Sequence, residues 1–417
     1  MRLKDLALTR AFKLFIIIAI IVIAGVIAYI LWPKSCRADV VIWIQVTHEE
    51  EQFIKSFVES SFRQMYPNIM VEINNRPDLK TALLAALPAG KGPDLFMWAH
   101  DWMGTIAEPG YITPIDEFVT EELRSKFLDA AWEACIYNGH VYALPYAAET
   151  VALIYNKDMV TQPPQTTDQL EDMMYSFSQQ GKYGIAYPVD PYYVSAWPHG
   201  FGGYYFNDTT KTPGLNTTGT VNGISYFLDK FHDYMSADTG RDAQVALFTG
   251  NMTPFLVDGP WGIGHLRERN MNFGVTILPK INEIDAWPKP YTGIKVIWMS
   301  SSVYNKQKAF TFMKWFATNS TFIKQRALQF GFIPVLKEVL ELPEILSDEI
   351  VSAFARQVEM GIPMPKSSEM ALVWSPLTDA INELFLLFPT FYGGRTPEVV
   401  LSEAQGKVLK ALAEYQG

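Results

Sequence analysis

The sequence predicts an α/β fold of two lobes with a cleft between them, and three observations carry that prediction. Short apolar runs alternate with amphipathic helical stretches between residues 40 and 98, the pattern of a parallel sheet with helical crossovers. A second alternating series runs from residue 151 to residue 278. An apolar run at 294–300 then matches a strand returning to the first lobe. Lobes exchanged by several crossings make a hinged cleft, and such clefts are preferred ligand sites.

At the start of the chain, residues 14–32 hold no charge and no proline over a length that matches the hydrocarbon core of a bilayer, so they read as a transmembrane helix. Arg2, Lys4, Arg10 and Lys13 against Asp5 keep the N-terminal tail in the cytoplasm and export the rest. A cleaved signal peptide would have a shorter apolar core, and Pro33-Lys34-Ser35 before Cys36 fits a lipoprotein site poorly. The expected organisation is a tail at 1–13, an anchor at 14–32, a linker at 33–38, a first lobe from 39–148 and 295–333, and a second from 149–294 and 334–417. This places a single-pass protein in the cell membrane with its bulk outside.

Taking the tail's four basic and one acidic residue from totals of 34 and 44 leaves 30 basic against 43 acidic residues, a surface for which nucleic acid and anionic membrane are poor partners. Two cysteines, Cys36 and Cys135, exclude a disulfide framework. Sequons at Asn207, Asn216, Asn251 and Asn319 agree with an extracellular glycoprotein.

Along the first lobe, Val-Val-Ile-Trp-Ile at 40–44 reads as a buried strand, Thr47 with Glu50 as a capping box, and Phe53, Ile54, Phe57, Val58 and Phe62 as the apolar face of a helix. Strands are expected at 69–73 and 94–98 with a helix at 79–87 between them, then a helix at 127–135 and strands at 141–144 and 151–155 joined by Pro145 to Thr150. In the second series, Thr166 and Gln169 cap a helix at 170–177, followed by a strand at 184–187, helices at 221–235 and 242–248, and strands at 253–257 and 273–278. Helices at 309–317, 321–329, 348–359 and 397–415 close the chain.

Chemistry concentrates at Gly92 to Trp102, Gly-Pro-Asp-Leu-Phe-Met-Trp-Ala-His-Asp-Trp, an apolar run with a polar tip at its C-terminal end. Ligands of open α/β sheets bind at that end, and an aromatic ring beside a carboxylate suits a sugar, whose C–H faces stack on Trp while its hydroxyls seek acceptors. Tryptophans at turn-like places, Trp197, Trp261 and Trp374, with Tyr192 and Tyr193, argue for an aromatic-lined cleft. Asp101, Glu149, Asp190 and Asp258 supply carboxylates, which serve binding as well as hydrolysis. His48, His100, His140, His199, His232 and His265 show no metal-ligand spacing, and neither a dinucleotide nor a nucleophile motif occurs, so no metal, cofactor or catalytic residue is expected.

Val-Ile-Trp-Ile, the 92–101 run, Leu-Ile-Tyr-Asn-Lys-Asp at 153–158, Asp-Pro-Tyr at 190–192, Asp-Gly-Pro-Trp at 258–261, Phe-Gly-Val-Thr-Ile-Leu-Pro at 273–279 and Trp374, taken in order, resemble the maltose-binding proteins of ABC importers over nearly the whole exported part. The resemblance implies a two-lobed periplasmic-binding-protein-like fold of type II that closes on an oligosaccharide and hands it to permease subunits and their ATPase. It makes Trp98, Trp261 and Trp374 stacking aromatics with Tyr192 beside them, and Asp101, Glu149 and Asp190 hydroxyl acceptors. Ala99 joins this set, as do Gln45, Thr47 and His48 where the maltose binders carry Asn-Gly-Asp-Lys. Trp102 replaces the family's arginine, Ser375 its tyrosine and Asp190 its glutamate. The expected ligand is maltose, maltodextrin or trehalose. A membrane-anchored surface glycosidase and a sugar-sensing ectodomain are the rivals, although the tail before residue 14 is too short for a signalling domain.

Overall fold

The computed structural model describes residues 37–416 and Phe15. The stretch at 14–32 read as a membrane span lies outside the described residues apart from Phe15; among the described residues no helix is long and apolar enough to cross a membrane.

Strand β1 (Val40–Ile44) is the predicted apolar run, with Val40, Ile42 and Ile44 turned into the core. Thr47 caps α1 (His48–Phe57) by accepting from Glu50 N at 3.3 Å. The expected box does not close through Glu50, whose side chain turns inward to Arg326, both being almost fully buried. Arg326 also lies over the Tyr146 and Phe332 rings, 4.7 and 4.4 Å from their centroids. A charge buried like this persists only when paired and hydrogen-bonded.

The parallel unit follows as predicted. Strand β2 (Val71–Asn75), helix α2 (Leu79–Ala86) and strand β3 (Leu95–Ala99) place β1 between β2 and β3, parallel to both. Helix α3 (Met103–Ala107) comes next. Strand β4 (Ala143–Glu149) then differs from expectation, because residues 145–149 belong to a fully buried strand instead of a connecting segment. Pro145 has no N–H for a ladder, and a register shift opposite accommodates it.

In the second lobe, β5 (Ala152–Asn156) leads to α4 (Thr167–Ser178), whose Thr166 cap accepts from Gln169 N. The strand expected at 184–187 reduces to one bridge, Ala186 to Leu256. Helices α5 (Thr218–Phe231) and α6 (Arg241–Thr249), strand β6 (Phe255–Asp258), helix α7 (Ile263–Glu268) and strand β7 (Phe273–Thr276) follow. Here β5 is central and antiparallel to both β6 and β7.

The chain returns through β8 (Tyr291–Met299), antiparallel to β3 and β4, which completes the first lobe's sheet. Two crossings are tied together where Thr150 Oγ1 donates to Tyr291 O at 2.9 Å and Tyr291 N donates to Ser195 Oγ at 3.0 Å. Helices α8 (Lys306–Thr318), α9 (Ser320–Phe330) and α10 (Glu349–Met360) agree with the expected ones, and β9 (Ile362–Pro363) pairs with the start of β8. Helix α11 (Ala371–Leu387), which carries Trp374, has no counterpart among the expected helices because Pro376 interrupts its pattern. Helix α12 (Pro397–Gln416) packs on it.

Candidate functional site

Two cavities meet between the lobes. The first, about 400 Å³, is lined by Trp98, Ala99, Asp101, Glu149, Asp190, Tyr192, Trp261 and Trp374. Eight of the eleven expected residues therefore share one wall-to-wall space. The second, about 720 Å³, takes Gln45 and Thr47 and shares Trp98, Trp261 and Lys295 with the first. His48 is exposed and lines neither cavity, because it opens α1 with its side chain in solvent.

Strand β3 ends at the first lobe's wall, where Trp98 is the half-buried member of an otherwise buried strand. Its ring leans on Trp102, centroids 5.3 Å apart and tilted by 39°. Asp101 sits in the tight turn His100–Trp102 that links β3 to α3. Its Oδ1 is buried without a hydrogen-bond partner. Burial first, and the charge of Glu149 second, push its carboxyl up to about 7, with Lys295 and Lys80 opposing. Glu149, the last residue of β4, is buried and lies 3.2 Å from Lys295 Nζ. Gly293 opposite leaves room for it, since a Cβ there would stand 3.0 Å from Glu149 Cγ.

The second lobe's wall is aromatic. Asp190, exposed, caps the short helix Pro191–Val194 by accepting from Tyr192 N at 2.8 Å. That cap sets the position of Tyr192, whose hydroxyl is buried in the cleft without a partner. Trp261 is fixed by a chain of bonds: its Nε1 donates to Tyr193 Oη at 3.2 Å, and Tyr193 Oη donates to Asp258 Oδ1 at 2.9 Å. Arg241 in turn donates to Asp258 at 2.8 and 3.2 Å. Asp258 is fully buried and spends both oxygens on this network. Two glycines make room: a Cβ at Gly259 would meet the Trp261 ring at 2.2 Å, and one at Gly262 would meet Asp258 Oδ2 at 2.3 Å. Trp374 is half-buried on α11 with its ring 6.1 Å from that of Tyr291.

Other singled-out residues fall elsewhere. Trp197 is completely buried and donates to Tyr187 Oη at 2.9 Å, a core residue and no part of the cleft. His100 is buried, accepts at Nδ1 from Ile294 N at 3.0 Å and therefore carries its proton on Nε2, 3.2 Å from Met364 O. Burial holds it near pKa 4, so this neutral ring is a tie between β8 and the chain before α11.

The residues that sequence reasoning missed are Lys80, Lys295, Met364 and Thr378, with Trp102 noted there only as a departure. Lys295 left a signal: it is the only charged residue in the apolar run Tyr-Thr-Gly-Ile-Lys-Val-Ile-Trp-Met. Among the described residues no cluster of three or more His, Cys, Asp or Glu could hold a metal ion.

A groove with flat rings on both walls and unpartnered polar atoms between them can hold a flat, hydroxyl-rich molecule. The profile of a family described as bacterial extracellular solute-binding protein matches residues 60–353. The chain is 44% identical over 349 residues to a maltotriose-binding protein of Pyrococcus abyssi, covering 83% of this chain and 77% of that protein. It is 26% identical to a galactooligosaccharide-binding protein of Bacillus subtilis over 84% of this chain and 85% of that one. A structure of the Thermus thermophilus maltotriose-binding protein with maltotriose superposes with a TM-score of 0.81 at 23% identity, covering 89% of this chain and all of that one, and so shares the two-lobed fold.

Proposed function

The chain belongs to the family of bacterial extracellular solute-binding proteins, and from that premise we propose that it binds an α-glucan oligosaccharide of the maltose and maltodextrin type and delivers it to the permease subunits of an ABC importer. The observation that carries the reading is the pairing of Trp98 on one lobe with Trp261 and Trp374 on the other, around the unpartnered Asp101 Oδ1 and Tyr192 hydroxyl. Rings supply stacking area, and the carboxyl and phenol supply orientation. The identity to the P. abyssi maltotriose-binding protein favours this sugar class over the one named for the B. subtilis relative.

In this reading Trp98, Ala99, Asp101, Glu149, Asp190, Tyr192, Trp261 and Trp374 contact the sugar, with Gln45 and Thr47 reached by a longer one. Family membership makes the paired carboxylates binding groups, which sets the glycosidase reading aside. Lobes divided at 148/149, 294/295 and 333/334 would close when sugar touches both. Residues 14–32 would hold the domain at the outer face of the membrane.

Calorimetry of the soluble domain against maltose, maltotriose, trehalose, cellobiose and a galactooligosaccharide tests the ligand. Binding of maltotriose with sugar recovered unchanged is expected; heat only with cellobiose or the galactooligosaccharide would overturn the assignment. Mass spectrometry of membrane-extracted protein should find peptides from before residue 14, and a lipidated start at Cys36 would refute the anchor.

A further inference from the structure

The two cavities of the cleft meet at a waist, and three residues line both: Trp98, Trp261 and Lys295. Trp98 comes from one lobe and Trp261 from the other, so the waist has a ring on each side. Lys295 is its third member, four-fifths buried, with Glu149 at 3.2 Å and the Trp98 ring centroid at 5.3 Å. Burying an ammonium in a strand of this kind costs stability, and an apolar residue would fill the same space more cheaply. An ammonium carries three donors in three directions, and its ion-pair partner Glu149 has its Oε2 buried without a hydrogen bond. It stands, moreover, where a molecule occupying both cavities must pass.

We propose that Lys295 is a specificity-determining residue that sets the chain-length preference of the cleft, a proposal that rests on the sugar-binding reading above. A disaccharide fits within the first cavity and meets Lys295 at one end at most. A longer oligosaccharide threads the waist between Trp98 and Trp261, places a further sugar unit over the ammonium, and lets its oxygens accept from Nζ. The extra affinity of the longer chain then depends on this one donor. A cation can only donate, so the unit at the waist must present oxygen lone pairs to it, which unsubstituted ring, bridge and hydroxyl oxygens all do.

The competing role is neutralisation of Glu149 with no contact to the ligand, and a ladder of sugars separates the two. Calorimetry would give dissociation constants for maltose, maltotriose and maltotetraose with the wild type, Lys295→Gln, Lys295→Arg and the double variant Glu149→Gln/Lys295→Gln. The double variant removes both charges and keeps the fold testable if Lys295→Gln alone leaves Glu149 stranded. The wild type is expected to bind maltotetraose about tenfold or more tighter than maltose, and Lys295→Gln to reduce that ratio to about threefold or less by weakening the longer sugar. The double variant should keep the low ratio, and Lys295→Arg should restore most of it. A ratio of about one in the wild type, an unchanged ratio in Lys295→Gln, or a wild-type ratio in the double variant overturns the proposal while leaving the sugar-binding reading intact. Failure of the wild type to bind any of the three sugars overturns both.

Discussion

The two walls of the cleft are built on opposite principles. On the second lobe, Trp261 is held by a bonded chain through Tyr193 to Asp258 and Arg241, with the buried carboxylate fully used. On the first lobe, Asp101 keeps a buried oxygen without a partner, beside the Glu149 and Lys295 pair. One wall has its Trp261 ring fixed before a ligand arrives, with the Tyr192 hydroxyl as its unmet group; the other keeps its unmet hydrogen bonds on two carboxyl groups, at Asp101 Oδ1 and Glu149 Oε2. A preorganised aromatic wall supplies affinity because little ordering remains to be done on binding. An unsatisfied polar wall supplies selectivity because only a ligand with donors at the right places relieves it.

The largest effect should come from removing rings. Trp374→Ala and Trp261→Ala are expected to cost about 2–4 kcal/mol of binding, roughly 30- to 700-fold in dissociation constant, with little change in melting temperature. Calorimetry and thermal melts on the same samples check this, and a destabilised Trp374→Ala with wild-type affinity would sink the stacking role.

Next, Arg241→Ala attacks the Trp261 wall from behind. It leaves the buried Asp258 carboxylate with Tyr193 as partner. Because the Arg241 side chain keeps about a third of its surface in water, the loss should be about 2–3 kcal/mol of stability, below the range for fully buried pairs. Denaturant unfolding measures it, and a loss under about 0.5 kcal/mol would show that the network does not hold the wall.

The Asp101 wall should respond more weakly and with pH. Asp101→Asn removes a charge-assisted acceptor and is expected to weaken sugar binding at pH 8 by about 1–2 kcal/mol. With its carboxyl held near 7, wild-type Asp101 is protonated at pH 5 and resembles the amide, so the gap between the two proteins should close there. A gap that stays constant from pH 5 to pH 8 would refute this account of Asp101.

The smallest effect is on stability. For Asp101 the folded pKa lies above the usual 3.8, so the folded state holds its proton more tightly than the unfolded chain. Its contribution is greatest below 3.8 and declines as pH rises toward 7. His100 and His199 act in the opposite sense: both are lowered to about 4 by burial, so their contribution is complete above 6.5 and is lost as pH falls toward 4. Asp101→Asn should therefore gain on the wild type by about 1 kcal/mol between pH 5 and pH 8, less than the full shift implies because the side chain borders solvent. Melting curves at the two pH values read the difference directly.

What the sequence could tell followed the range over which its signals act. Strand β3 and its tip were legible because an apolar run ending in Trp98 and Asp101 is a local pattern, and the Thr47 and Thr166 caps likewise need only three residues. Lys295 left a fainter mark, a lone charge in an apolar run that is ordinarily solvated, and the pairing with Glu149 across β4 and β8 gives that mark its meaning. Trp197 and Trp374 looked alike beside polar neighbours, yet one is core and the other lines the cleft. Helix α11 was hidden by Pro376, and Glu50 was assigned to a cap because its partner Arg326 lies far along the chain.

The Trp98 and Trp102 pair has an optical consequence. Two indoles with centroids 5.3 Å apart and planes inclined at 39° are close enough for their electronic transitions to couple, and coupled chromophores at a fixed tilt rotate polarised light far more strongly than isolated ones. A ligand that settles on Trp98 changes the polarisability around one partner of that pair. The near-ultraviolet circular dichroism of the unlabelled protein is thus a direct reporter of what occupies the cleft.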